Sequence, residues 1–294
     1  MQTVAVFGLG SMGMGIAQSC LRGGHRTHGF DTREEVVNSF IADGGSPGAL
    51  ETVAAACDTA IIVVLNAAQT EAVLADLVPR MTKGSTIIAC ATVPPDFARA
   101  MAAKAQDAGL HYIDAPISGG SVKAARGELS IMASGAAEAF AAAATVLDAI
   151  SETVFRLGDA PGAGSAMKAV NQLLAGVHIA TMAEAMTFGI SQGIAPETFM
   201  DVIPNCAGSS WMLENRGPHI VAGDYTPHSQ VNIWPKDLGI VLDIARGAGF
   251  PAPMTETALA RFQEAARLGL GTEDDAAVAK VYAGEAGVDL PKAT

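Results

Sequence analysis

Cysteine is scarce in this chain, and the four that occur, Cys20, Cys57, Cys90 and Cys206, show no C-x-x-C or Cys/His ligand spacing. That pattern excludes a zinc site and a disulfide framework, and it fits free thiols in a reducing compartment, with all four expected to act as small buried hydrophobes. The six histidines are scattered without H-x-x-x-H or other ligand spacing, so no metal is expected. Basic residues are few as well: 18 against 30 acidic ones give a formal charge of −12, which excludes a nucleic-acid partner. The overall field does not steer an anionic substrate in, so a local cluster of cations must hold one. No apolar run of membrane-spanning length stands out, and no basic segment precedes the first strand at Thr3. A cytoplasmic protein with no membrane partner is therefore expected. There is no internal repeat, and no low-complexity segment beyond alanine richness.

Half of the 294 residues are apolar, enough for two domains with substantial cores. The most informative stretch is at the start. Val4 to Gly15 reads as an apolar strand breaking into a glycine-rich turn and then into helix-compatible sequence. Gly8, Gly10 and Gly13 stand at G-x-G-x-x-G spacing around Leu9, Ser11 and Met12. Gly8 suits the tight turn, Gly10 lets a pyrophosphate approach the backbone, and Gly13 lets the helix pack close to the strand. The helix N-terminus then offers N–H groups and a positive dipole end to phosphates. A second strand, 26–30, ends on Asp31, eighteen positions after Gly13. A carboxylate about 20 residues on grips the ribose hydroxyls of NAD and repels a 2′-phosphate, so NAD is expected over NADP. Arg33 pulls the other way.

Strand-like runs at 4–7, 26–30, 60–65, 86–90, 111–113, 129–133 and 153–157 alternate with Ala-rich helical stretches such as 97–108 and 136–150. This alternation predicts an α/β fold: a Rossmann-type, doubly wound, mostly parallel sheet with helices on both faces. Ligands bind at the carboxyl ends of such strands, where Asn66, Thr92 and Asp114 lie. After the glycine-rich segment 158–164 the strand pattern stops. Met167, Val170, Leu174 and Val177, then Met182 and Met186, recur at helical spacing and predict a long helix from 165 to about 189. Further helices are expected at 195–203, 236–247, 255–268 and 274–282. The expected domains are residues 1–162, dinucleotide-binding, and residues 163–294, all-helical.

A hydride-transfer enzyme needs an acid/base at the reacting oxygen and groups to hold the substrate. Asp114-Ala-Pro-Ile-Ser-Gly-Gly-Ser121 is a post-strand loop in which Ser118, Gly119 and Gly120 can donate to a carboxylate; a purely structural turn fits equally well. Lys168 and Asn171 lie three apart on one side of the long helix, the side that Met167 and Val170 do not occupy. Apolar neighbours disfavour the charged form of a lysine and bring its pKa toward the range of a general acid/base. Lys236, in Trp234-Pro-Lys-Asp-Leu238, opens a helix of the second domain and can serve as a second cation.

Together these segments resemble the β-hydroxyacid dehydrogenase family, to which 3-hydroxyisobutyrate dehydrogenase belongs. Gly8-Leu-Gly-Ser-Met-Gly13, Asp114-Ala-Pro-Ile-Ser-Gly-Gly120, Lys168-Ala-Val-Asn171 and Lys236-Asp-Leu-Gly239 occur in the family's order across essentially the whole chain. The resemblance implies that Lys168 is the general acid/base and Asn171 its orienting partner. It also implies that Ser118, Gly119 and Gly120 hold the carboxylate of a small anionic substrate, that Asn66 and Thr92 line the nicotinamide side, and that Lys236 closes the cofactor pocket. An interdomain cleft and a homodimer or homotetramer come with it. The runs Ser210–Arg216, Gly223–Pro227 and Lys236–Val241 are most similar to the family's L-threonate dehydrogenase branch, although Pro235, directly before Lys236, departs from it and Trp234 nearby is expected to reshape the pocket. The alternatives are oxidation of 3-hydroxyisobutyrate or reduction of tartronate or succinic semialdehyde. Imine reductases usually carry another residue at the place of Lys168, and 6-phosphogluconate dehydrogenases a histidine where Val170 stands. A non-catalytic nucleotide-sensing protein on the same fold is the rival from a different class.

Overall fold

Strands covered on both faces must be apolar at consecutive positions, and the central strands Thr3–Phe7, Thr59–Ile62 and Thr86–Ala89 largely are. In the computed structural model, which describes residues 1–293, five parallel strands form one sheet: β1 (Thr3–Phe7), β2 (Arg26–Phe30), β3 (Thr59–Ile62), β4 (Thr86–Ala89) and β5 (His111–Asp114). Their spatial order is β2-β1-β3-β4-β5. Because strand side chains alternate, Val4, Val6, Ile61, Ile88 and Ile113 point to one face. There they meet Ile16, Ala17 and Cys20 of α1 (Ser11–Arg22) and Phe140, Ala143 and Leu147 of α7 (Ala137–Ile150). Ala5, Phe7, Ile62, Ile87 and Tyr112 point to the other face, against α3 (Leu50–Ala56), α4 (Ala67–Leu77) and α5 (Pro95–Asp107). The order reverses between β1 and β3, the switch point at which doubly wound sheets bind ligands.

The last expected strands leave this sheet. β6 (Ile117–Ser118) pairs antiparallel with β7 (Leu129–Ala133), which pairs parallel with β8 (Ser151–Arg156) as a separate three-stranded sheet. β6 is two residues long, too short to leave a periodic signature. The remaining helices of the amino-terminal part are α2 (Glu34–Ala42) and α6 (Gly120–Arg126).

The chain separates into two compact units, Met1–Lys168 and a second from Ala169 onward. The second is helical: the greater part of α8 (Ala163–Ser191), then α9 (Pro196–Val202), α10 (Trp211–Ala222), α11 (Ile233–Gly247), α12 (Pro253–Ala265) and α13 (Ala279–Ala286). Its core gathers Met182, Met186, Leu213, Trp234, Leu238 and Phe262. A Cβ on Gly176 would stand 2.8 Å from the Leu238 side chain and 2.9 Å from the Trp234 ring, so a glycine lets α8 lie close to α11.

Several expectations change. Helix α8 has 29 residues and a window of mean hydropathy 1.4, so by length and composition it could cross a membrane, contrary to the sequence reading; 44% of that window is buried inside the fold. Helix α11 starts at Ile233, so Lys236 lies one turn inside it and does not open it. Met167, Val170 and Leu174, whose spacing announces the helix, are 44%, 55% and 50% exposed, whereas Lys168 and Gln172 are buried. Periodicity identifies an amphipathic helix but not which face finds a neighbour. Trp234 is not a pocket residue: it stacks on Phe262 at 5.5 Å and donates its indole N–H to Asp275. Cys206 is exposed, whereas Cys20, Cys57 and Cys90 are buried.

Candidate active site

The turn after β1 shows why three glycines are needed there. Gly8 has φ +91°, and a Cβ on it would stand 2.3 Å from the Val63 carbonyl oxygen. A Cβ on Gly13 would stand 1.7 Å from the Gly8 carbonyl oxygen. Gly10, the N-cap of α1, has no atom within 4 Å of the Cβ position, which leaves the open approach a pyrophosphate requires. Leu9 buries its side chain, Met12 packs partly against the core, and Ser11 faces solvent in the first turn. Gly15, outside the motif, has the same steric logic, since its Cβ would stand 2.6 Å from the Ala125 amide nitrogen of α6.

Asp31 follows β2 and accepts the Leu9 N–H at 2.8 Å, tying the glycine turn to the acid. Its carboxylate also accepts the Arg33 guanidinium through Nε at 3.0 Å and Nη2 at 3.1 Å, together with the Arg33 backbone N–H. The Arg33 side chain beside it, aided by the two amides, holds the Asp31 carboxyl down at about 2, so it is charged at neutral pH. The turn, the acid and the open cradle at Gly10 fit a dinucleotide. Asn66 and Thr92 follow β3 and β4 on the same carboxyl edge of the sheet. The Asn66 side-chain oxygen is committed to capping α4, where it accepts the Gln69 N–H at 2.9 Å.

Ser118 is half-buried in β6, opposite Ser130 of β7. Gly119 (φ +134°) and Gly120 (φ +75°) follow it in conformations that L side chains rarely adopt, which accounts for the paired glycines. Lys168 is only 8% exposed, and its Nζ donates to the Ile117 carbonyl oxygen at 2.9 Å. The structure thus brings Lys168 to the segment that carries Ser118.

Asn171 lies one turn further along α8, in the second unit, where it donates to Gln172 Oε1 at 3.0 Å. Gln172 in turn donates to Asp237 Oδ2, and Asp237 Oδ1 pairs with Lys236 at 2.7 Å. A buried glutamine and a buried aspartate therefore orient Asn171 and Lys236 from one side. Within the run Ser210–Arg216, Arg216 is held by the buried Asp275 at 2.6 Å, a structural pairing, while Trp211 is 60% exposed.

Sequence reasoning placed Asp114 at a strand end without giving it a role. It is 1% exposed, and its carboxylate accepts the Gly162 and Ser165 N–H groups at 2.9 Å each and the Ser165 hydroxyl at 2.6 Å. Its partners lie 48 and 51 residues away, so no local spacing announces them.

Residues 3–158 match the family model described as the NAD binding domain of 6-phosphogluconate dehydrogenase. Residues 162–282 match the model described as NAD-binding of NADP-dependent 3-hydroxyisobutyrate dehydrogenase. Among characterised relatives, L-threonate dehydrogenase of Cupriavidus necator is 49% identical, over 99% of this chain and 98% of its own. 3-Hydroxyisobutyrate dehydrogenase of Pseudomonas aeruginosa is 32% identical, over 97% and 100%. Among solved structures, a Salmonella typhimurium protein described as 3-hydroxyisobutyrate dehydrogenase superposes with a TM-score of 0.89 at 46% identity, covering 95% of this chain and 99% of that one.

Proposed function

Because this chain belongs to the β-hydroxyacid dehydrogenase family, NAD(P)-dependent oxidoreductases acting on the CH–OH group of hydroxy acids, we propose that its own substrate is a short polyhydroxylated acid of the L-threonate type. The observation that carries this reading is Lys168: an amine withdrawn from water and fixed on the Ile117 carbonyl, directly before Ser118, Gly119 and Gly120. The L-threonate choice leans on relatives of that name at 43–49% identity over nearly the whole chain.

In this reading the neutral Lys168 amine takes the hydroxyl proton as the alcohol is oxidised and returns it when the carbonyl is reduced. Asn171 is its orienting partner. Ser118 and the backbone of Gly119 and Gly120 hold the substrate carboxylate. The turn Gly8, Leu9, Gly10, Ser11, Met12, Gly13 receives the pyrophosphate, Asp31 the ribose hydroxyls, and Asn66 and Thr92 the nicotinamide side. Lys236 supplies a cation to the cofactor. NAD, when bound, supplies the hydride acceptor.

We assign residues 1–162 to dinucleotide binding and 163–294 to substrate selection and assembly; the break between the two matched models, at 158 and 162, supports the division. We further assign a cytoplasmic homodimer or homotetramer without membrane or nucleic-acid partners. Exposed Leu174, Phe188, Ile194 and Val202 of the second unit are apolar side chains that a second copy would cover.

The test is turnover on a panel of L-threonate, glycerate, 3-hydroxyisobutyrate, 3-hydroxypropionate and 4-hydroxybutyrate, followed as NADH absorbance, with NADP in parallel. L-Threonate with NAD is expected to give the highest kcat/KM, and Lys168→Ala to lower kcat by about 10² or more with NAD affinity unchanged. A better panel member displaces the substrate proposal, and near-normal turnover in the variant removes Lys168 from the chemistry. Light scattering on the same preparation is expected to give a dimer or tetramer mass; a monomer refutes the assembly.

A further inference from the structure

The start of α8 has no side-chain cap of its own, because Pro161-Gly162-Ala163-Gly164 offers no hydroxyl or carboxylate. A helix start leaves four N–H groups without intrahelical partners, and buried ones must be satisfied from elsewhere. Here two residues from strand ends supply acceptors for three of them. Asp114 Oδ2 accepts from Gly162 N and Ser165 N, Asp114 Oδ1 accepts the Ser165 hydroxyl, and Ser134 Oγ accepts from Gly164 N at 3.0 Å. Asp114 and Ser134 are themselves clamped by a reciprocal pair of backbone hydrogen bonds at 3.0 and 2.8 Å, and their side chains meet at 3.3 Å. A Cβ on Gly164 would stand 2.4 Å from the Met132 carbonyl oxygen and 2.6 Å from that of Asp114, so the helix start is pressed onto the strand ends as closely as backbone allows.

One turn after Ser165 comes Lys168, whose Nζ reaches back to the Ile117 carbonyl, three residues beyond Asp114 where β5 runs into β6. The segment 114–117 therefore holds α8 twice, at its first turn through Asp114 and at Lys168 through the Ile117 carbonyl. We propose that Asp114 is a positioning residue for the reaction: it fixes the first turn of α8 so that the Lys168 amine is presented at Ser118-Gly119-Gly120. It binds neither substrate nor cofactor. A carboxylate suits the task because it accepts several N–H groups at once and favours the positive end of the helix dipole. The inference rests on the assignment of Lys168 as acid/base, and the test separates the two.

Asp114→Ala, Asp114→Asn, Ser165→Ala, Lys168→Ala and the double variant Asp114→Ala/Lys168→Ala are compared for L-threonate turnover, NAD binding by titration and thermal unfolding. Lys168 accessibility is read separately as its acetylation rate by acetic anhydride, with exposed Lys83 as internal reference. Asp114→Ala is expected to lower kcat about 10²-fold, the scale of a misplaced catalytic group, with little change in KM or NAD affinity. Asp114→Asn, which keeps an oxygen for the two backbone N–H groups, and Ser165→Ala are each expected to lose about tenfold. Asp114→Ala is expected to cause no further loss in the Lys168→Ala background, and acetylation of Lys168 alone to rise severalfold in Asp114→Ala and Ser165→Ala. Should Asp114→Ala fail to fold, Ser165→Ala carries the test. Unchanged kcat and unchanged Lys168 labelling in a folded variant overturn the proposal, as does an additive loss in the double variant. Normal turnover of Lys168→Ala overturns the acid/base assignment instead, and the labelling experiment still decides whether Asp114 positions the amine.

Discussion

Each unit buries aspartates, and they are satisfied by different means. Asp114, in the first unit, is surrounded by uncharged donors: two backbone N–H groups and two serine hydroxyls. In the second unit Asp275 pairs with Arg216 at 2.6 Å and accepts the Trp234 indole N–H at 2.9 Å. Its neighbour Asp274 meets His219 Nδ1 at 2.9 Å and the backbone amides of His228 and Ala276. Against the burial that would raise it, His219 and those amides hold the Asp274 carboxyl at about 2. A buried ion pair is held by its counter-charge, and breaking it leaves that charge stranded. A carboxylate held by neutral dipoles strands none, and what its loss releases is geometry. One arrangement anchors a helical core, and the other orients a helix start.

The contrast breaks first at Asp275. Asp275→Ala is expected to cost about 3 kcal/mol in denaturant unfolding, the low end for a severed buried pair because Asp274 stays 4.0 Å from Arg216. The kcat per folded molecule should stay near normal, the reverse of the expectation for Asp114→Ala. If both variants lose mainly stability, the two carboxylates do the same job.

A smaller effect is expected at the Arg33–Asp31 ion pair. Asp31→Ala should weaken NAD more than NADP in binding titrations, since it removes the ribose acceptor and frees Arg33 from its partner. Equal weakening of both cofactors would deny Asp31 the ribose. Because its folded pKa is depressed, the Arg33–Asp31 pair contributes stability that is fully present above the ordinary 3.8 and is lost as pH falls toward about 2. Arg33→Ala should therefore differ from the parent in acid unfolding above that window and converge with it below.

The smallest effect concerns the thiols. Burial pushes Cys20, Cys57 and Cys90 up to about 12, whereas Cys206 is exposed. One thiol per native chain should react with iodoacetamide at neutral pH, by mass spectrometry at Cys206. Labelling of the buried three at a comparable rate would show that the first unit opens more readily than its packing implies.

Residue patterns with local causes were legible. The glycine turn could be read because Gly8 is required by its own φ of +91° and Gly13 by its contact with the Gly8 carbonyl, both within one strand–turn–helix, and the acid after β2 because the following strand of such a unit ends beside that turn. Strands buried on both faces carry uninterrupted apolar runs, which is why the parallel sheet was expected with nearly its observed bounds. The sequence determined, by itself, where the parallel strands form, that a helical half follows them and that a dinucleotide cradle opens the chain, since these follow from side-chain volume, backbone freedom and periodicity over a few residues. Only the tertiary structure decided that the stripe Met167, Val170 and Leu174 faces outward while Lys168 is buried, that β6 to β8 form a sheet of their own, and that Asp114 grips a helix 48 to 51 residues away. Those outcomes depend on which surfaces meet after collapse, and a carboxylate's partners across such a span are set by packing, which no spacing along the chain encodes.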